Sequence, residues 1–339
     1  MKYSAVFCKN NKKIFILFTI AVLLLFTAAA FGLMLGSTQI KFTDIFSALK
    51  NGPVNSAGKI IIFVRLPRTL GSIFTGAALA VAGAVIQNVL ANRLASPSII
   101  GVNAGAGLAV TLCTVLGLYG GWQMSAFSFL GAFLTVILIS FGAQKLGASR
   151  GTVILMGVAV NSLLNAFSDA IITFNPNLAV MSTDFKIGDF SAVTYQKLIP
   201  AMIIIAIALL ITFTLSNELD VLTLGEENAR GLGMNTKLVR TVFFILAAML
   251  SGCGVSIAGL LSFVGLIVPH IVRMLGGRKS AHLLPLSALF GGSFVCLCDT
   301  VARTLFAPYE IPVGIIMAFL GAPFFFFILI QGKGGHKNA

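Results

Sequence analysis

Read from its first residue, the chain is a succession of apolar runs, about ten in all, most of them near the ~20 residues that carry a helix across a bilayer. No other feature limits the possible folds as strongly. Only 10% of the residues are charged, against about 25% in a soluble domain, so an ordinary water-soluble fold is excluded. The runs are continuous, which excludes the alternating segments of about 10 residues that build a membrane barrel. The expectation is an all-α, polytopic membrane protein of about ten helices, organised as a single transmembrane domain over 1–339.

The runs fall at about 14–35, 69–90, 99–118, 123–144, 152–174, 198–216, 239–260, 262–275, 283–302 and 313–331. The first is longer than the ~7–15 residues of a signal-peptide core, so it reads as a retained helix. A polar stretch covers 37–59, and the weakest break is Gly259–Ser262. Ten crossings place both termini on one side. With the amino terminus inside, Lys and Arg concentrate in the inner connections, among them Arg93, Lys145, Arg150, Arg230, Lys237, Arg240, Arg273, Arg278 and Lys279. That bias predicts cytoplasmic termini. The net charge of +13 is scattered over helix ends rather than gathered in a stripe, so nucleic acid is not an expected partner.

One stretch breaks the pattern. Asn217–Arg240 carries four of the ten acids, Glu218, Asp220, Glu226 and Glu227, between two long apolar runs. Orientation places it in the cytoplasm. Glu226 and Arg230 stand at i,i+4 with the acid first, the favourable order on a helix. Gly225, Gly231 and Gly233 bracket that turn, and Leu222, Leu224 and Leu232 offer apolar contacts. The stretch is either a solvated loop or a short helix presented to a partner's groove.

Several polar residues lie inside apolar runs, where charge and hydrogen-bonding groups are costly and face the bundle interior or a watery cavity. Asn161, Asn165, Asp169 and Thr173 are four apart and share one helix face. They read as interhelical hydrogen-bonding groups or as a pathway lining. Asp299 stands four residues before Arg303, at salt-bridge spacing, with a proton relay as the sharper alternative. Arg65, Arg68 and Arg303 fall at the outer face, against the positive-inside trend. They suit lipid headgroups, an acidic partner or guidance of an anionic substrate. His270 and Arg273 stand at an inner helix end.

The five cysteines lie in or beside apolar runs and read as small buried hydrophobes. No metal-binding constellation appears. Gly147–Gly151 matches the G-x-S-x-G hydrolase pattern but not its strand–turn–helix context. No phosphate-binding loop of the G-x-x-x-x-G-K-[ST] type occurs, so ATP-driven work requires a separate subunit. The chain is not expected to be an enzyme.

The segments 65–107 (RLPRTLGSIFTGAALAVAGAVIQNVLANRLASPSIIGVNAGAG), 224–235 (LGEENARGLGMN), 259–277 (GLLSFVGLIVPHIVRMLGG), 283–292 (LLPLSALFGG) and 299–326 (DTVARTLFAPYEIPVGIIMAFLGAPFFF) resemble, in order, the iron-siderophore and cobalamin permeases of bacterial ABC importers, the FecCD type. The resemblance covers nearly the whole chain. It implies a multi-pass permease in the bacterial cytoplasmic membrane, paired with a second permease subunit (identical or paralogous), two cytoplasmic ATPases and an extracytoplasmic binding protein. No cofactor would be bound by this chain; ATP-Mg would be used by the partner ATPase. Leu224, Gly225, Glu226, Glu227, Ala229, Arg230, Leu232 and Gly233 would form the ATPase-coupling helix. Arg65, Arg68 and Arg303 would receive acids of the binding protein. Asn92 and Leu94 match the inner-gate loop, with Arg93 where the family pattern has proline. Asn161, Asn165 and Asp169 are the candidate pathway lining. The implied cargo is a ferric siderophore, with haem or cobalamin as alternatives. An ion-coupled secondary transporter is the rival class.

Overall fold

The structure is a computed structural model that describes residues 2–36, 38, 40, 42–118, 121–145, 150–176 and 185–334. The described residues form helices and connecting turns, as the unbroken apolar runs require. Helix α1 spans Lys2–Met34. The expected polar stretch after it is not irregular: it holds the short helices α2 (Phe42–Asn51) and α3 (Ser56–Ile60). In α2 the buried Ile45 and Ala48 pack with Ile40 and Ile61 in a satellite cluster, while Phe46 on the same helix stays exposed.

The side chain of Asn55 caps α3 by accepting from the Gly58 amide at 2.7 Å. The chain then passes through a π turn at Ile61–Arg65 directly into α4, Leu66–Val89. Pro67 has no N–H to offer the carbonyl one turn back, and the widened turn sits just before it. The second apolar run is therefore the end of a helical stretch beginning at Ser56, not a helix beginning near residue 69.

After a connection and a 3-10 turn at Pro97–Ile100 come α5 (Val102–Val115), α6 (Gly121–Lys145) and α7 (Arg150–Phe174). Further along are α8 (Tyr195–Thr214), α9 (Ser216–Thr223), α10 (Glu226–Gly231) and α11 (Thr236–Ala258). The last three are α12 (Val264–Leu275), α13 (Ser280–Thr304) and α14 (Val313–Gly334). Among the described residues, 7 helices are long and apolar enough to cross a membrane, and Val102–Val115, Val264–Leu275 and Val313–Phe326 are shorter apolar helices. Each apolar run of the sequence corresponds to one of these.

The bundle is built around α4, which packs against α13, α11, α12 and α8. Its buried surface is mostly small: Gly76, Ala77, Ala80, Gly83 and Ala84 line it. Small residues let membrane helices approach to backbone contact, and two crossings use this fully. A Cβ on Gly76 would fall on the carbonyl of Gly291 in α13, and one on Gly83 would fall on the backbone of Gly265 in α12. The outer helices instead expose apolar side chains, such as Phe15 and Phe26 of α1 and Leu155 and Phe167 of α7. Four cysteines, Cys113, Cys253, Cys296 and Cys298, are buried thiols, the role expected of them.

The weak break at Gly259–Ser262 is a real interruption. Gly259 has φ +73° and Phe263 has φ +67°, and the Leu260 amide turns away to the carbonyl of Phe185 at 2.9 Å. Helix α12 then has only 12 residues, about 18 Å of rise against a hydrocarbon core of about 30 Å. Non-helical backbone at such a depth is tolerated where protein covers it or where it lines a cavity.

Candidate functional site

Three places carry the polar chemistry: the charged segment between α8 and α11, a buried cluster where α4 meets α13, and the turns beside the 3-10 helix. In the first, Leu219 and Leu222 are buried and hold α9 against the bundle. Asp220 accepts from the amide of Ser280 at 3.0 Å and from its hydroxyl at 2.6 Å. A carboxylate there satisfies orphan donors at the start of α13 and opposes its positive end. Gly225 takes φ +102°, and this reversal lets α10 begin at once.

Within α10 the ion pair expected from the spacing forms: Arg230 meets Glu226 at 2.5 Å. Glu226 also meets Arg240 of α11 at 3.2 Å, a partner the sequence reading missed. Burial pushes the Glu226 carboxyl up, but the hydrogen bond and charge of Arg240, joined by Arg230, outweigh it and hold the group below its usual value. Its contribution is therefore complete above the ordinary carboxylate range and is lost as pH falls through the lowered value. Ala229 is buried, Asn235 caps α11 at the Leu238 amide, and Leu224 and Leu232 stand 56% and 68% exposed. The segment is a fixed ridge with apolar side chains on its crest.

The second place corrects an expectation. Arg65, Arg68 and Arg303 are not presented outward; all three are buried. Arg68 grips Asp299 in a fork, with Nε at 3.0 Å and one terminal nitrogen at 2.9 Å from the same carboxylate. Its other terminal nitrogen meets Glu310 at 2.7 Å, and Asp189 lies 3.9 Å away. Arg303 reaches Asp299 at 3.6 Å and donates to the carbonyl of Gly32. Arg65 donates to the carbonyls of Leu33 and Met34 at 2.8 and 2.7 Å and to Thr38, which closes the carboxyl end of α1. Buried guanidinium groups must be matched by acceptors, and this chain supplies them itself. Asp299 does pair with Arg303, but its closer partner is Arg68, on another helix. The residues exposed around this cluster are instead Phe306, Tyr309 and Glu310.

The third place separates the polar stripe of α7. Asn161 donates to the carbonyl of Ser98 at 2.9 Å, tying α7 to the 3-10 turn. Asn165 and Asp169 are exposed, and Asp169 meets Lys186 at 3.2 Å. Asn92 accepts from the amide of Leu94 at 2.9 Å, which fixes the turn after α4. None of these five residues lines the two cavities formed by described residues. Beside them lies a cavity of about 240 Å³ lined by Ser96, Ser98, Asn103, Ser262 and Phe263 together with apolar residues. It carries hydroxyl and amide groups and no ionisable side chain, so it suits hydrogen bonding rather than ion coordination. Sequence reading missed it, although Asn103 and Ser262 stand out as polar residues within apolar runs.

Among the described residues no group of three or more His, Cys, Asp or Glu is gathered to hold a metal. The hydrolase-like match falls largely at 147–149, outside the described residues.

A sequence profile of the FecCD transport family matches residues 20–331. The chain belongs to that family. This FecCD chain is 36% identical over 317 residues to the Fe(3+)-citrate import system permease protein YfmD of Bacillus subtilis, covering 94% of this chain and 95% of that one. It is 36% identical over 287 residues to the vitamin B12 import system permease protein BtuC of Yersinia pseudotuberculosis, covering 83% and 84%. A solved inward-facing ABC transporter of metal-chelate type matches the FecCD chain with TM-score 0.83 and 30% identity, over 93% of this chain and 99% of that one. PsaBC from Streptococcus pneumoniae, at 18% identity and TM-score 0.58 over 79% and 92%, shares the fold alone. The FecCD chain is accordingly a multi-pass protein of a transport family whose relatives are ABC importer permeases.

Proposed function

We propose that the chain is the membrane-spanning permease subunit of a bacterial ABC importer for a ferric chelate of the siderophore type. In this reading ten helices cross the cytoplasmic membrane with both termini inside. Two permease subunits, identical or paralogous, enclose the pathway, an extracytoplasmic binding protein delivers the cargo, and two cytoplasmic ATPases consume ATP-Mg that this chain does not bind. The observation that carries the reading is the ridge of α9 and α10. It is pinned at Leu219, Asp220, Leu222, Ala229 and Glu226, yet Leu224 and Leu232 face away from its own bundle. A pinned ridge transmits a push, whereas a loose loop absorbs it. Leu224 through Gly233 would dock in the ATPase, and closure of the ATPases would shift the permease through differential affinity for its states.

The test targets the crest and leaves its supports alone. Exchanging the charges of Glu226 and Arg230 is unsuitable, because Arg at 226 would also confront Arg240. Leu232→Asp and Leu224→Asp instead remove apolar contacts from exposed positions. Each is expected to weaken co-purification with the ATPase and chelate uptake by roughly 30-fold, the effect of losing an interface hot spot of about 2 kcal/mol, with membrane insertion unchanged. Normal association and uptake in both variants would remove the ridge from the mechanism.

The rival, ion-coupled transport by this chain alone, predicts uptake in vesicles without partners or ATP. Asp299 locked between two arginines and Asp169 facing Lys186 are poor ion sites. Relatives named for iron citrate and for vitamin B12 stand at equal identity, so cargo is assigned by fluorescence quenching of the cognate binding protein. Quenching by cobalamin or haem and not by ferric siderophores would move the assignment within the same importer class.

A further inference from the structure

Between the end of α4, the last turns of α12 and the end of α9 lies a cavity of about 470 Å³. Arg93, Arg273, Arg278 and His270 line it, with the amides of Gln87 and Asn88 behind them, and none of its lining residues is acidic. Arg273 is held by neutral groups: it donates to Asn88 at 3.0 Å and to Gln87. Gln87 in turn donates to the carbonyl of Gly265 at 3.0 Å, and Asn88 to the Ser280 hydroxyl at 3.2 Å. The carboxylate nearest along this chain of bonds, Asp220, is occupied by the amide and hydroxyl of Ser280. Arg93 stands close enough for its charge to bear on both Arg273 and His270.

Elsewhere the buried Arg68, Arg240 and Arg303 are matched by carboxylates, and Arg65 by the carbonyls that end α1. Arg68 has Asp299 and Glu310, and Arg240 has Glu226. Here several cationic side chains share a concave space, and no acidic side chain lines it among the described residues. Guanidinium groups bind oxyanions through paired hydrogen bonds, and a concave cationic wall concentrates such ligands. The helix-end carbonyls that would repel an anion are partly engaged, since the amides of Gly276 and Gly277 bond to the carbonyls of Arg273 and Val272.

We propose that this cavity binds a phosphate-type oxyanion, supplied by the headgroup of an acidic phospholipid or by soluble phosphate. The lipid source fits the surroundings better. The cavity lies where the apolar helices α4 and α12 end, and the ends of membrane-crossing helices meet the headgroup layer. Met274, on the cavity wall and 63% exposed, gives an acyl chain an apolar surface to follow. Bound there, the ligand would bridge α4, α12 and the base of the ridge, so it would stabilise one arrangement of these helices. The site stands on its own geometry and does not depend on the import reading.

The test uses the full chain purified in detergent, with the thermal midpoint and native mass spectrometry as readouts. Phosphatidylglycerol is expected to raise the midpoint saturably and to be retained, while phosphatidylcholine does neither. Arg93→Gln with Arg278→Gln, two exposed positions that the fold does not lean on, is expected to weaken the phosphatidylglycerol response about 10- to 30-fold. Lys59→Gln with Lys237→Gln removes the same charge from elsewhere and should leave the response intact. A shift produced by inorganic phosphate alone, with the same dependence on Arg93 and Arg278, would uphold the site and assign it to a soluble anion. Equal responses to both lipids, or a double variant that responds like the parent, would overturn the proposal.

Discussion

Gly83→Leu is expected to abolish assembly of the bundle, with the variant recovered from membranes as aggregate, and Gly83→Ala is expected to fold with a clearly lowered thermal midpoint. At this position a Cβ meets the backbone of Gly265 rather than the tip of a side chain. No rotamer change relieves that contact, so α4 and α12 must separate. Separation costs the packing of Leu79, Val264 and Val268, which are buried at the same crossing. Overpacking a tight core costs about 1–3 kcal/mol per inserted group, and leucine adds three more carbons beyond the one that already clashes. Gly107→Ala in α5 is the control, because a Cβ there meets nothing within 4 Å. Detergent size-exclusion profiles and thermal midpoints of the three variants decide the matter. A monodisperse Gly83→Leu with the parent's midpoint would mean the helices do not approach at this point.

Asp299→Ala is the second large effect. The carboxylate is 1% exposed and faces Arg68 and Arg303, which are 6% and 3% exposed. Removing it leaves two guanidinium groups buried with a deficit of charge. Breaking such a pair by deleting one partner costs about 3–5 kcal/mol. Glu310→Gln should cost at most about 1 kcal/mol, since that half-exposed carboxylate works in high dielectric. The informative comparison is Asp299→Leu with Arg68→Met. Replacing a buried pair by apolar groups is often neutral or stabilising, so the double variant should recover the part of the loss that belongs to Arg68, while Arg303, still buried without its carboxylate, keeps the remainder. If it were as unstable as the sum of the two, the cluster would be holding the fold through something other than paired charge.

How much of this was legible from the sequence differs from place to place. The helices were legible because a bilayer demands long apolar runs, and the break before α12 was visible in Gly259 and the polar Ser262. The Glu226–Arg230 pair followed from helical spacing alone. The rest depends on contacts between residues far apart in the chain. Arg68 and Asp299 are 231 residues apart, so spacing offered Asp299 only its local neighbour Arg303. The same blindness made Arg65, Arg68 and Arg303 look exposed: charge at the end of an apolar run usually meets water, and nothing local announced the acceptors waiting on α1 and α13. Arg240 was counted as a topology signal, although it also braces Glu226. The cationic cavity was hidden for a similar reason, as Arg93 follows α4 whereas His270, Arg273 and Arg278 stand at and just beyond the end of α12.

Helix α13 has 25 residues, a rod of about 37 Å. Asp220 of the charged ridge grips its first residue, and Asp299 and Arg303 anchor its last turn to α4 and α1. The protein thus has one helix clamped at both ends, with Pro285 and the Gly291–Gly292 pair between the clamps. A load applied to the ridge would reach the buried Arg68–Asp299 cluster along this one helix.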